Sequence, residues 1–189
     1  MEIIKTDIDG VVIIKPNIYN DSRGYFFESF NENEFKKKVM NIDFVQDNES
    51  MSSYGVIRGL HFQKPPFTQS KLVRCVKGKV LDVAVDMRIG SSTYGKHVAV
   101  ELSEDNHLQL FIPRGFAHGF SVLSDVALFQ YKCDNFYSFE NDGGIYLLDE
   151  SLNIDWKIPF NDMIISDKDK KQPLLSESVF KFDINDKLY

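Results

Sequence analysis

Alternation of apolar and polar residues over Val80–Met87 constrains this chain more than any other feature. Leu81, Val83, Val85 and Met87 fall on one side, Asp82 and Asp86 on the other. That is the period of two by which an extended strand presents one face to a core. The run from Lys71 to Val76, the pair Lys77-Gly78 and the run from Lys79 to Met87 predict a hairpin with its glycine in the turn. Further strands are expected at Val11–Ile14, Tyr25–Phe30, Phe44–Met51, Val56–Gln63, Tyr94–Leu102, Leu108–Ile112, Gly119–Leu123, Val126–Cys133 and Gly144–Leu148. Helical periodicity is confined to Asn31–Met40 and a turn or two after Ser166. Many short strands at close spacing predict an all-β antiparallel sandwich or barrel, and 16 Phe with 8 Tyr suit its interior.

The 189 residues contain no internal repeat, low-complexity tract or Pro/Gly/Ser-rich linker, so a single domain over 1–189 is expected. It has an N-terminal strand arm and a C-terminal helical or extended tail. With 43% apolar and 26% charged residues the composition is that of a soluble globular protein. No apolar run approaches the ~18 residues that a membrane span needs, and the start Met1-Glu2-Ile3-Ile4-Lys5 lacks a secretory layout. Cys75 and Cys133 each sit in an apolar run and read as small buried hydrophobes in a reduced compartment. A cytoplasmic protein is expected. The net charge of −6 disfavours a nucleic-acid partner. It leaves room for a phosphorylated small molecule, which needs only a few Arg and Lys in one cleft.

Of the four histidines, His97 in an alternating strand and His107 in a polar turn read as surface residues. His61 stands in Arg58-Gly59-Leu60-His61-Phe62-Gln63, with Lys71 shortly after, and His118 in Pro113-Arg114-Gly115-Phe116-Ala117-His118. The ordinary reading of either is a core histidine. For His61, the nearby Arg, Gln and Lys on adjoining strands point instead to a ligand pocket. A flat strand puts Arg58 and His61 on opposite faces. The two share a face only if the strand is bulged at Gly59. Pro113–His118 carries the Pro-x-Gly-x-x-His half of a cupin metal motif, but the His-x-His half is missing, leaving too few ligands to hold a metal. By itself Tyr131 reads as a core aromatic. Asp169, three residues after Ser166, reads as part of a capping box.

Eight motifs in order carry a resemblance over Lys5–Leu175. They are Asp21-Ser22-Arg23-Gly24-Tyr25-Phe26-Phe27-Glu28, Gln46-Asp47-Asn48-Glu49-Ser50, Arg58–Gln63, Lys71-Leu72-Val73-Arg74, Pro113–Phe120, Tyr131-Lys132-Cys133, Ile154-Asp155-Trp156 and Ser166-Asp167-Lys168-Asp169. The chain resembles the dTDP-4-dehydrorhamnose 3,5-epimerase family. The resemblance implies a metal-free, cofactor-free, cupin-like double-stranded β-helix (jelly-roll) barrel with short peripheral helices, working as a homodimer that shares strands. It implies His61 as catalytic base with Asp169 as its partner, Tyr131 as the acid on the opposite face and Lys71 as stabiliser of the enolate oxygen. Substrate contacts would fall on Arg23, Glu28, Gln46, Asn48, Arg58, His118, Asp142 and Lys168, with Tyr137 stacked on the base. The chain departs from the family pattern at Tyr146-Leu147-Leu148-Asp149-Glu150.

The chemistry suits these residue types. Carbon acidity beside a ketone requires a base of near-neutral pKa and a donor at the oxygen. Inversion further requires a proton donor on the other ring face. In a 4-keto sugar both C3 and C5 flank the carbonyl, so one constellation serves both. The activity that the resemblance implies is conversion of dTDP-4-dehydro-6-deoxy-D-glucose to dTDP-4-dehydro-L-rhamnose. Its rivals are an epimerase of C3 or C5 alone, a metal-dependent cupin oxygenase and a non-catalytic sugar-binding jelly roll.

Overall fold

The computed structural model describes residues 1–189. The chain opens with β1 (Glu2–Lys5), β2 (Val12–Lys15), the small hairpin β3 (Tyr19–Asp21) and β4 (Gly24–Phe26), and helix α1 (Glu32–Lys38). Then come β5 (Gln46–Ser53), β6 (Val56–Gln63), β7 (Lys71–Lys77), β8 (Lys79–Asp86), β9 (Arg88–Ile89), β10 (His97–Ser103), β11 (Gln109–Ile112), β12 (Phe116–Val122) and β13 (Val126–Cys133). The remainder holds only β14 (Asp142–Gly144), β15 (Ile164–Ile165) and β16 (Phe182–Asp183) among loops and single 3-10 turns. No helix is long and apolar enough to cross a membrane.

Two sheets form the body. One runs β1-β2-β11-β7-β13-β5, the other β10-β8-β12-β6-β14, with β15 added beside β6. From β5 to β8, and again from β10 to β13, each strand lies in the opposite sheet to the one before it. That is a jelly roll, as expected. The hairpin expected across Lys77-Gly78 is therefore not one: β7 and β8 belong to different sheets and are not hydrogen-bonded neighbours. Gly78 has φ +76° and turns the chain from sheet to sheet, so close to β13 that a Cβ there would lie 2.1 Å from the Val126 carbonyl oxygen. A glycine between two alternating runs signals a sharp turn. It does not say whether the strands then pair or face each other.

Packing explains why the apparently polar side of β8 is not wet. Val73, Cys75, Leu110 and Phe129 of the first sheet meet Val80, Ala84, Phe116 and Phe120 of the second in one core between the sheets. The second sheet's outer face, including Leu81, Val83 and Val85, is roofed by Ile145, Leu147, Leu152, Trp156, Leu175 and Phe182. Both faces of β8 are thus buried, and Asp82 and Asp86 are each 0% exposed. Asp86 is satisfied by Arg88, Ser91 and Thr93. Truncating a core ring such as Phe129, stacked on Phe120 at 4.2 Å, costs roughly 3–5 kcal/mol.

The helix expected over Asn31–Met40 is seven residues long. The Asn31 side chain caps it by accepting the Glu34 N–H at 3.2 Å, an interaction worth about 1 kcal/mol. Phe35 seats it on the first sheet against Phe111, ring to ring at 5.3 Å. The strand expected over Tyr94–Leu102 begins only at His97, and two further expectations shrink. Tyr25–Phe30 ends at Phe26, because Tyr25 and Phe27 turn onto His107, their rings at 4.6 and 5.2 Å. Gly144–Leu148 is strand only at Gly144, since Ile145 and Leu147 leave the sheet to form its roof. The departure from the family pattern over Tyr146–Glu150 lies in that roof, where the Leu147 carbonyl accepts the Trp156 indole N–H at 2.8 Å. His97 and His107 are half-buried, not surface residues. Cys75 and Cys133 are free and buried.

Candidate active site

A bulge in β6 builds one wall of the site. His61 pairs with His118 and Arg58 with Phe120, so three steps along β6 match two along β12. The extra residue cancels the period-two conflict, and Arg58 and His61 line the same cavity. Gly59 makes this possible. Its φ is +146°, and a Cβ would lie 2.6 Å from the Gly119 Cα on β12. The expectation of a bulge at this glycine, made from the face conflict alone, is met.

β15 runs parallel to the start of β6, Ile164 opposite Val56 and Ile165 opposite Ile57. The chain then turns at Ser166, whose hydroxyl accepts the Asp169 N–H at 3.1 Å. Half of the capping-box reading thus holds. The Asp169 carboxylate reaches past the turn to β6. Its Oδ1 lies 2.6 Å from His61 Nε2, and the residue is 3% exposed. Burial alone would raise the Asp169 carboxyl, but the His61 hydrogen bond and charge, with the Ser166 and Gly59 bonds, hold it below its ordinary value. An ionised carboxylate accepts the Nε2 proton and leaves Nδ1, which has no protein partner, as the basic nitrogen.

The opposite wall is the first sheet. Tyr131 on β13 pairs with Asn48 on β5 and Val73 on β7. His61 and Tyr131 therefore approach a ligand from opposite sheets. Lys71, at the start of β7, has its ammonium 5.7 Å from the Tyr131 ring centre. Burial lowers the Lys71 pKa, opposed by the more distant carboxylates of Asp82 and Asp142. Burial also raises that of Tyr131, so the phenol keeps its proton at neutral pH and is available as a donor.

His61, Lys71 and Tyr131 are shared by two adjoining hollows. One, about 610 Å³, also takes in Arg58, His118, Phe120, Phe129, Lys168 and Asp169. The other, about 430 Å³, takes in Gln46, Asn48, Gln63, Tyr137, Asp142 and Lys168. β14 brings Asp142 into register with Gln63 on β6. There Asp142 pairs with Lys168 and accepts the Gln63 amide at 3.2 Å. The hydrogen bond that Lys168 donates to Asp142 is the main cause of its raised pKa. Gln46 accepts the Tyr137 N–H at 3.1 Å and donates to Asn48 at 3.1 Å, and Tyr137 is 52% exposed at the rim.

Eleven of the thirteen expected site residues thus line one continuous cleft. Arg23 and Glu28 do not. Arg23, on the β3–β4 turn, is paired with Asp21 at 2.6 Å and its side chain is 88% exposed. Glu28 lines a separate hollow near α1. Sequence reasoning missed Asp82, and it noted Gln63 only as a polar neighbour of His61. Asp82 Oδ2 lies 2.8 Å from His118 Nε2, while its buried Oδ1 has no partner. Burial depresses the His118 pKa despite Asp82, keeping the imidazole neutral. Alternation placed Asp82 opposite the apolar face of β8; the signal was that no turn or loop accounts for an acid there. No group of three or more His, Cys, Asp or Glu side chains is placed to hold a metal ion.

A cleft between jelly-roll sheets, with an imidazole–carboxylate pair on one wall and a protonated phenol on the other, marks an isomerase that works by moving protons. Comparison with known proteins agrees. A family model described as dTDP-4-dehydrorhamnose 3,5-epimerase matches residues 5–177, and the chain belongs to that family. The Shigella flexneri dTDP-4-dehydrorhamnose 3,5-epimerase is 54% identical over 170 residues, covering 89% of this chain and 93% of its own. The crystal structure of the Elizabethkingia anophelis enzyme of that name superposes with a TM-score of 0.91 at 50% identity, covering 95% of this chain and 99% of that one. A Legionella pneumophila dTDP-6-deoxy-D-glucose-3,5-epimerase, in complex with dTDP-4-keto-L-rhamnose, gives 0.89 at 47% identity, covering 93% of each chain.

Proposed function

We propose that this protein inverts C3 and C5 of dTDP-4-dehydro-6-deoxy-D-glucose to give dTDP-4-dehydro-L-rhamnose. One observation carries the assignment of roles: His61, bonded to Asp169 at 2.6 Å, and Tyr131 stand on opposite sheets of one cleft. A sugar ring between them turns one face to each. His61 Nδ1 removes the proton from the carbon beside the ketone, and the electron pair moves onto the carbonyl oxygen. The Lys71 ammonium stabilises the enolate oxygen in a site shielded from water. Tyr131 then delivers its hydroxyl proton to the other face of the same carbon, and solvent resets both groups. Asp169 stabilises the imidazolium formed on the way.

Arg58 and Lys168 supply donors for the diphosphate, His118 lines the cleft beside them, and Gln46, Asn48 and Tyr137 receive the nucleoside. The protein works as a homodimer. This reading gives a place to Arg23 and Glu28, which a second copy would carry to the nucleotide end of the cleft. A reaction on a soluble nucleotide sugar suits the cytoplasm.

The test is incubation with the 4-keto-6-deoxy substrate in D2O, followed by NMR. Deuterium should enter both C3 and C5, and His61→Asn should abolish uptake at both while nucleotide binding persists. Uptake at one carbon only would reduce the assignment to a single-centre epimerase. Full uptake with His61→Asn would overturn it.

A further inference from the structure

Ser70, the residue before Lys71, is the hub of a polar cluster that the reaction as described does not use. Its N–H donates to Asp134 Oδ1 at 2.6 Å, and its hydroxyl lies 2.7 Å from the Tyr189 hydroxyl. The Tyr189 oxygen also accepts the Arg114 N–H at 2.9 Å. The Arg114 guanidinium closes the ring, donating from Nε to Asp134 Oδ2 at 3.0 Å and from Nη1 to the Leu188 carbonyl. It also lies 4.9 Å over the Tyr189 ring. Four segments of chain meet here: the start of β7, the β11–β12 turn, the residue after β13, and the C-terminal segment.

Burial makes this cluster costly. Ser70 is 0% exposed and the Asp134 side chain 2%. Replacing such a pair with apolar groups is often neutral for stability, so a buried ion pair is better understood as fixing geometry. The geometry fixed here is that of the catalytic strands. Lys71 is in register with Ile112 on β11 and Cys133 on β13, and Tyr131 stands two residues before Cys133. The Lys71 side chain has no ion-pair or hydrogen-bond partner of its own; only distant charges oppose its desolvation. The position of its ammonium therefore depends on where the backbone at 70–71 is held.

We propose that Tyr189 and Asp134 are positioning residues, clasping Ser70 so that Lys71 sits where the enolate oxygen forms. The proposal rests on the assigned role of Lys71. Tyr189 as a residue is 58% exposed while its hydroxyl is engaged, so Tyr189→Phe removes one oxygen and leaves the fold. Displacement of a catalytic group by ~1 Å costs up to about a hundredfold, and loss of one of two bonds to Ser70 should cost about tenfold. Enolate stabilisation belongs to the transition state, so the loss falls on kcat and leaves KM within about threefold.

The experiment measures kcat, KM and melting temperature for Tyr189→Phe, Ser70→Ala, Lys71→Met and the Lys71→Met/Tyr189→Phe pair. The expected result is about a tenfold fall in kcat for the first two in the native background. In the Lys71→Met background, Tyr189→Phe should add less than twofold, the non-additivity of groups acting through one another. If Lys71→Met leaves no measurable exchange, a kcat-only loss at unchanged melting temperature decides for the clasp. Unchanged kcat for Tyr189→Phe and Ser70→Ala, or equal losses in both backgrounds, overturns the proposal. Wild-type kcat in Lys71→Met would instead remove the role of Lys71 itself, and the clasp's purpose with it.

Discussion

Replacing Asp169 with Asn keeps the size and burial of the side chain and removes its charge, which makes it a clean probe of the His61 pair. Two effects follow from the 2.6 Å contact between Asp169 Oδ1 and His61 Nε2. The first is electrostatic. A hydrogen bond to a charged group is worth about 1.5–3 kcal/mol, and here it strengthens as the imidazolium forms. Losing it slows proton abstraction by about 10- to 150-fold, at ~1.4 kcal/mol per factor of ten. The second is tautomeric. An amide at residue 169 can donate N–H to Nε2, which places the ring proton on Nδ1, the one nitrogen free to act as base. Together the two effects predict a fall in kcat on the order of 10²–10³, with KM little changed. The fall should be smaller than for His61→Asn, because a minority of rings keeps the working tautomer. The assay is the initial rate of deuterium uptake at C3 and C5 by NMR, with kcat and KM from product formation. Uptake at both carbons within threefold of wild type would refute the reasoning, and Asp169 would return to the role of a turn residue beside Ser166.

Tyr131→Phe should split the two halves of the reaction. Deuterium still enters the substrate through His61, while epimerised product falls by about a hundredfold or more; full epimerisation by NMR would leave the opposite-face acid unassigned. Gly59→Ala puts a side chain at φ +146° and 2.6 Å from the Gly119 Cα, so urea denaturation should show a loss of at least about 2 kcal/mol. A midpoint equal to wild type would mean that the β6 bulge tolerates a side chain. His118 is held below its ordinary value of 6.5 by burial, so below that pH the unfolded chain binds the extra proton first and stability falls as pH falls. His118→Gln should flatten the drop in melting temperature between roughly pH 7 and 5, leaving a remainder from half-buried His97, whose pKa burial also lowers. Parallel melting curves for the two proteins would show that His118 does not carry the dependence.

The strand class was legible because period-two alternation is local: each run, from Val80–Met87 to Val126–Cys133, carries its own record of which side faces a core. The Arg58–His61 conflict was legible for the same reason, since a face mismatch across one glycine has few solutions and the bulge is the observed one. The site residues were legible only through linked motifs. Nothing near Asp169 in sequence distinguishes a turn acid from the partner of a histidine 108 positions away. Pairing was not legible at all. Alternation marks the faces of a strand but does not name its neighbours, so Lys77-Gly78 read as a hairpin until the sheets placed β7 and β8 apart. The roof over the second sheet was hidden for a related reason. Leu147, Trp156 and Phe182 are scattered through irregular chain, and only their convergence turns the polar side of β8 into an interior. Sequence by itself therefore determined the β architecture and the chemical types present. The tertiary structure decided which carboxylate holds which imidazole, because hydrogen bonds and desolvation act between atoms close in space, whatever their separation along the chain.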